Sequence, residues 1–452
     1  MSVSIEMMSG TTFVSPVNVK MSMPVALERT ARHPLDGLCS PERSPTQLPR
    51  GVMSLSLGQA DKHRIEIKLL ACVAQGWTGV EIHMDDVKAT ARRIAQGETI
   101  AADFTSSSVI PITHSHATQA KEPTRCSMLQ AASSIASLCR AHNLRVICLE
   151  PLLHYPGLLP ISRRDALLRD EIPLWLEISD LLDTDLIQVA SAMFGPYAGP
   201  HAHLSPASCD GGVTSNESRI VTDLRLLATI GAQWPNRPKF FAYEAMSFGY
   251  SVQRWQDAWR QVCLVDLENF GMVLDTMQMI AACVVVEDPY SSSINGSLVE
   301  GHEAKLQRDL QQLRETFVGP HNKENRRKLF LCQLGDAQLP SASTVSNYNP
   351  AQHANSKMAW ARTHRQFAAA GNLPGVQEVA NVIFNEIGYK GWVSAEYFNT
   401  DTDSDDALFP FQAAKRCQVG HEILLTKAET MNQKRVQKEA KVTSVFEQQA
   451  RI

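Results

Sequence analysis

Short apolar runs alternate with stretches of helical period along most of this chain. The run GVMSLSLG (51–58) predicts a short buried strand closed by Gly58. In KHRIEIKLLACVAQG (62–76), apolar residues at 65, 69, 70 and 73 have the spacing of a helix that stops at Gly76. WTGVEIH (77–83) then predicts a second strand, and the alternation continues. The helical stretch 127–143 precedes the strand LRVICLE (144–150), and 168–184 precedes DLIQVAS (185–191). Likewise 219–232 leads to KFFAYEA (239–245), and 255–266 leads to FGMVLDT (270–276). The last two pairs are 304–317 with KLFLCQL (328–334), and 376–388 with GWVSAEYF (391–398). Eight apolar strands separated by helices predict an α/β fold with a parallel sheet, and eight closes a (β/α)8 TIM barrel. The rival, a doubly wound open sheet, normally carries GxGxxG after its first strand, and none is present.

The flanks differ in texture. Residues 1–49 are rich in Ser, Pro, Met and Thr without a sustained period, which predicts a disordered leader before a catalytic barrel over 50–427. From 428 to 452 the chain is polar and charged, as in a solvated helix or a frayed end. Two long connections, 195–218 and 284–301, are expected to act as lids or substrate walls at the C-terminal face of the barrel.

Composition narrows the function classes. With 44% hydrophobic residues among 452, the chain is not wholly disordered. A net charge of −4 offers no broad basic surface for nucleic acid or an anionic membrane. Ten cysteines without a CxxC pair read as reduced, mostly buried thiols. The first twenty residues hold no continuous apolar stretch of the signal-peptide kind, and no window approaches ~18 consecutive apolar residues. A cytoplasmic enzyme acting on a small molecule is the expectation, and the oligomeric state is not legible.

Active sites of such barrels lie at the C-terminal ends of strands. The polar residues there are Glu81 and His83, Glu150 with His154 beyond it, Gln188, Glu244, Asp275, Gln333 with Asp336, and Glu396. Glu244, Asp275, Gln333 and Glu396 come from four consecutive strands. Three carboxylates and an amide oxygen at one mouth repel unless a cation neutralises them. An all-oxygen set suits one hard divalent ion, Mg²⁺ or Mn²⁺ first, with Co²⁺ or Zn²⁺ as alternatives. Singly, each has a plainer explanation: an Asp at a strand end commonly caps the next helix, and a lone strand Glu is commonly salt-bridged.

Several strings carry a family resemblance. SLSLG (54–58), GWTGVEIHMDDV (76–87), LEPLLHYPGL (149–158), LWLEISDLLDTDLIQVAS (174–191) and FAYEAMSFGYSVQRWQDAW (241–259) are followed by NFGMVLDT (269–276), QLGDA (333–337), MAWARTHRQF (358–367) and GYKGWVSAEYF (388–398). Together they resemble the fungal 3-dehydroshikimate dehydratases of quinate catabolism, within the sugar-phosphate isomerase/epimerase-like, xylose isomerase-type barrels. The likeness runs from about 52 to 400, and the combination of HYPGL, WLEISDLL, FAYEAMSFG and MAWARTHRQF is more specific than any single string. It implies a divalent metal held by Glu244, Asp275, Gln333 and Glu396, and a lyase that dehydrates 3-dehydroshikimate to protocatechuate. In the implied chemistry a base removes the proton beside the ketone, the metal stabilises the enolate, and an acid helps the hydroxyl leave.

One departure affects the roles. Bacterial relatives carry His three residues after the metal-binding Asp, where this chain has Gln278. An amide cannot take a proton at pH 7, so Gln278 is expected to orient substrate, as is Asp336. His154 becomes the first candidate base, with His83 and Glu150 next; fungal relatives usually carry Gln where Glu150 stands. Arg362 and Arg365 are expected to bind the carboxylate of a hydroxy-keto acid substrate. Two other readings stay open. A sugar or sugar-phosphate isomerase or epimerase of the same fold would need a second base, which Glu150 could supply. A catalytically weak, ligand-sensing barrel would explain Gln278 and the unusual leader. An abasic-site endonuclease would want several His and Asp ligands for three metals, and these are not evident.

Overall fold

The computed structural model describes residues 33–36, 43–100, 122–195, 212–291, 296–349 and 355–449, together with a two-residue strand pair at Ser4–Ile5 and Val17–Asn18. Most of the 195–218 connection and part of 284–301 lie outside the described residues. Eight strands form the sheet: β1 (Arg50–Met53), β2 (Gly79–His83), β3 (Arg145–Leu152), β4 (Leu186–Ala190), β5 (Phe240–Glu244), β6 (Phe270–Asp275), β7 (Leu329–Leu334) and β8 (Val393–Ala395). Every neighbouring pair is parallel, and β8 closes on β1, so the predicted barrel is what the chain forms.

Side chains alternate across a strand, so residues two apart share a face. One face packs against the helices in the large outer core. The other fills the lower half of the barrel with Ile147, Leu186, Phe240, Val273, Phe330 and Trp392. A Cβ on Gly79 would stand 2.6 Å from the Trp392 ring, so β2 needs a glycine where that indole crosses the lumen. Two residues beyond the lumen-facing Phe240–Ala242 face comes Glu244, and likewise Asp275 follows Val273 and Gln333 follows Leu331. This parity sends the polar strand ends into the upper half of the same lumen.

The first strand is shorter than the run 51–58 predicts. After Met53 the chain turns through a 3₁₀ helix, Ser54–Leu57. Ser54 Oγ accepts the His83 amide at 3.0 Å and Ser56 Oγ accepts the Tyr397 amide at 2.8 Å. These hydroxyls replace ladder bonds at the ends of β2 and β8, ending β1 early. The predicted helix 168–184 is two helices, Ile161–Asp170 and Ile172–Leu181, with Pro173 in the first turn of the second. Helices Met84–Ala95 and Thr276–Val284 begin directly at the ends of β2 and β6, where no helix was expected.

The leader boundary at residue 50 also needs correction. Leu35, Pro45 and Leu48 are buried against the barrel. The His33 ring meets Phe240 and Phe330 edge-on, at 5.4 and 5.3 Å, below the lumen. The apolar positions among the Ser and Pro of this segment therefore join the core, at least over 33–36 and 43–49. The rest of residues 1–49 lies outside the described set, apart from the strand pair. At the other end one helix, Phe409–Gln449, crosses the expected boundary at 428 without a break, and Ala428 is its last buried residue among the described side chains. The eight described cysteines are free thiols, five of them buried. Among the described residues, no helix is long and apolar enough to cross a membrane.

Beyond β7 the chain makes a long excursion before the helix Val376–Asn381. Two-residue strands, Asp336–Ala337 and Arg365–Gln366, pair antiparallel at its base, and the helix Ser356–Thr363 lies between them. This excursion carries Arg362 and Arg365 to the barrel mouth.

Candidate metal centre at the barrel mouth

Glu244, Asp275 and Glu396 end β5, end β6 and follow β8, and all three are buried. One carboxylate oxygen from each lies within 4.8 Å of the others. Oxygens about 2.0–2.6 Å from a shared ion stand at most ~5 Å apart, so this spacing suits a divalent cation. Gln188 on β4 donates its Nε2 to Glu244 Oε2, while Glu244 Oε1 is buried without a partner. Gln333 Nε2 donates to Glu81 Oε2 and to Gln188 Oε1, both at 3.2 Å. Its Oε1 is likewise buried without a partner. Two orphaned buried oxygens beside clustered carboxylates are a donor set that a hard cation completes.

Electrostatics agree. Burial, followed by repulsion from neighbouring carboxylates, pushes Glu244 and Glu150 well above the usual carboxylate range. Glu396 is also pushed well above it by burial and Glu244, against the pull of Arg365. Burial pushes Glu81 up to about 7, opposed by hydrogen bonds from Ser394 and Gln333. Glu81 and Gln188 thus belong to the cluster through their hydrogen bonds with Gln333 and Glu244.

Arg365 engages the carboxylate cluster itself. Its Nε donates to the Glu396 carbonyl at 2.8 Å, and its Nη2 to Asp275 Oδ2 and, at 3.2 Å, to Glu396 Oε2. Asp336 is also corrected: its carboxylate accepts the amides of Ala337, Gly371 and Leu373 at 2.7–3.2 Å, stapling the excursion rather than facing substrate. His83 Nδ1 accepts the Asp85 amide at 3.2 Å as the N-cap of Met84–Ala95, so that nitrogen is engaged in capping. Gln278 Oε1 accepts the Ser247 amide at 2.9 Å, and its Nε2 reaches only the Met246 thioether, at 3.5 Å. It holds the loop leaving β5 and keeps a weakly engaged donor in the site.

His154 and Arg362 meet at one side of the mouth. His154 follows β3 with φ 57°, its ring 5.6 Å from that of Phe194. Its Nδ1 is buried without a partner. Burial, then the nearby Arg362 charge, push its pKa down to about 4, so the ring is neutral at pH 7. Arg362 is exposed at the mouth, with Nη2 3.5 Å from the Met193 thioether. Glu150 ends the set, buried, with Oε1 unpartnered, among the charges of Glu81, Glu244 and Asp275. A cavity of about 640 Å³ at the opposite, N-terminal face, lined by Arg145, Leu186, Phe330 and Trp392, contains none of these groups.

Comparison with known proteins places this geometry in a lineage. The family described as a xylose isomerase-like TIM barrel matches residues 71–416. A 3-dehydroshikimate dehydratase of Neurospora crassa is 30% identical over 372 residues, covering 81% of this chain and 90% of that protein. A 3-dehydroshikimate dehydratase of Pseudomonas aeruginosa is 24% identical over 267 residues, which is 59% of this chain and 31% of that longer protein. Among solved structures, the IOLI protein with a bound zinc atom overlays with a TM-score of 0.53 at 13% identity, over 84% of this chain and 99% of its own. A xylose isomerase-like TIM barrel/4-hydroxyphenylpyruvate dioxygenase fusion protein has the same TM-score at 19% identity, over 87% of this chain and 44% of its own. With the family matching most of the chain and the Neurospora relative matching 81% of it, this chain belongs to the xylose isomerase-like TIM-barrel family and, within it, to the 3-dehydroshikimate dehydratases.

Proposed function

We propose that the chain is a divalent-metal-dependent hydro-lyase that converts 3-dehydroshikimate to protocatechuate and water. The convergence of Glu244, Asp275 and Glu396 beside the orphaned Gln333 oxygen carries this reading, and these four are its metal ligands. The all-oxygen donor set would hold a divalent ion, Mg²⁺ or Mn²⁺, which would supply Lewis-acid stabilisation of negative charge on the substrate oxygen. The protein moves the protons. His154, neutral and with a free Nδ1, takes the proton beside the ketone. Glu150, kept protonated by burial and its acidic neighbours, gives a proton from Oε1 to the departing hydroxyl. Enolisation of the remaining ketone completes the aromatic ring. Arg362, a cation at the mouth beside His154, pairs with the substrate carboxylate.

Incubation of metal-stripped protein with 3-dehydroshikimate, with and without added Mg²⁺ or Mn²⁺, tests this directly. Protocatechuate absorbance is expected to grow only with metal. No turnover with any divalent ion would sink the reading.

A further inference from the structure

Arg365 stands in an unusual place for a guanidinium. It is 1% exposed, and its Nη2 contacts Asp275 and Glu396, two of the three carboxylates whose oxygens cluster within ion-binding distance. Its placement is built in from several directions. Nε is held by the Glu396 carbonyl at 2.8 Å, and the Arg365 carbonyl accepts Asn399 Nδ2 at 3.1 Å. Its backbone pairs with Ala337 in the small antiparallel ladder that Asp336 staples. Gly335 leaves the slot for the fork, since a Cβ there would stand 2.8 Å from Nε and 2.9 Å from Nη2. A long side chain fixed at both backbone and guanidinium does not swing away without disturbing the excursion that carries it.

We propose that Arg365 is a positioning residue of the metal centre, a resident counter-cation that shares Asp275 and Glu396 with the divalent ion and competes with it for them. This rests on the ligand set proposed above. The physical reason is simple. Each oxygen committed to a guanidinium N–H has less negative potential to offer an ion, and a fixed positive charge a few ångströms away repels a second one. Arg365 therefore lowers metal affinity while it stabilises the carboxylates when no ion is bound. Because it sits on the post-β7 excursion, the seating of that excursion and metal affinity are linked.

The test is Mn²⁺ titration calorimetry on the EDTA-stripped full chain, with melting temperatures recorded with and without Mn²⁺. Arg365→Met keeps length and removes the charge. It is expected to bind Mn²⁺ at least about tenfold more tightly than the unmodified chain and to gain a larger melting increment from Mn²⁺. A merely structural arginine would give weaker or unchanged binding, and either result overturns the proposal. If Arg365→Met does not fold, Arg365→Gln serves instead, because it also removes the charge while keeping a polar end; tighter binding supports the proposal and unchanged or weaker binding overturns it. Failure of the unmodified chain to bind Mn²⁺ at all would refute the metal centre itself, and the inference with it.

Discussion

Asp275 shows how one side chain answers two demands. Its Oδ1 accepts the Gln278 amide at 2.8 Å and starts the helix Thr276–Val284, while its Oδ2 faces Arg365 and the other carboxylates. The helix-cap reading holds for it, and the other oxygen is the one the proposed ligand reading uses. Glu396 has no capping duty, so Glu396→Ala is the cleaner test of the site. It should abolish turnover and metal retention while leaving the circular dichroism spectrum and melting of the metal-free protein close to normal. Large destabilisation of that form would mean that Glu396 is structural. His154→Gln should lower kcat by ~10²–10⁴-fold with metal content unchanged, as loss of a general base does; a loss below about tenfold rules the base out. The pH profile carries a second check. A histidine at its ordinary ~6.5 would give an acid limb there, but burial brings His154 to about 4. Since the base must be unprotonated, activity should fall only as pH drops toward 4.

At the scale of elements, the excursion after β7 and the last long helix set the site's reach and its support. Asn355 caps Ser356–Thr363, accepting the Met358 amide at 2.9 Å, and that helix delivers Arg362 to the mouth. Loss of a charge-assisted bond costs about 1.5–3 kcal/mol, so Arg362→Met should raise KM by ~10–100-fold with a smaller effect on kcat. An unchanged KM would remove Arg362 from substrate binding. The helix Phe409–Gln449 packs His421 into the core, its ring 5.3 Å from that of Trp77. Burial pushes His421 down to about 3. The unfolded chain therefore binds a proton below ~6.5 that the folded chain refuses until about pH 3, and stability falls as pH falls through that window. From pH 7 to 5 this single group should remove about 2 kcal/mol. Urea melts of His421→Leu should show that much less acid sensitivity over the same interval, and an equal loss in both proteins would contradict the assignment.

For the molecule as a whole, residues 33–36 and 43–49 pack against the barrel and its last helix. Lys390 Nζ donates to the Arg43 carbonyl, Thr46 donates to Glu429, and Leu35 and Leu48 are buried. Each buried leucine contributes roughly 1.5–3 kcal/mol, so a chain beginning at residue 50 should melt several degrees lower than one beginning at residue 33. Equal melting would show that this packing is incidental. The expectation of a disordered leader rests on average composition, and composition does not reveal a few apolar residues that find a partner. The strands were more legible, because each is a local apolar run and its two-residue period points the polar end into the lumen. The roles of Arg365, Asp336 and His83 were not legible. For Arg365 and Asp336 the partners lie 31 to 90 residues away and only the fold brings them into hydrogen-bond range, while His83 is engaged locally by the helix that starts directly after its strand.

From sequence alone came the order of eight strands, the closed parallel barrel and the four oxygen-bearing residues at consecutive strand ends. These follow from local periodicity, a count of eight and motif likeness, none of which requires knowing distances. Tertiary structure decided the rest. Gln333 and Glu81, 252 residues apart in the chain, share a hydrogen bond, and Arg365 lies 90 residues beyond the Asp275 it touches. Whether a buried carboxylate meets an amide, a guanidinium or another carboxylate sets its charge and so its chemistry. That meeting is fixed by three-dimensional packing, because electrostatic energy depends on separation and burial and not on position along the chain.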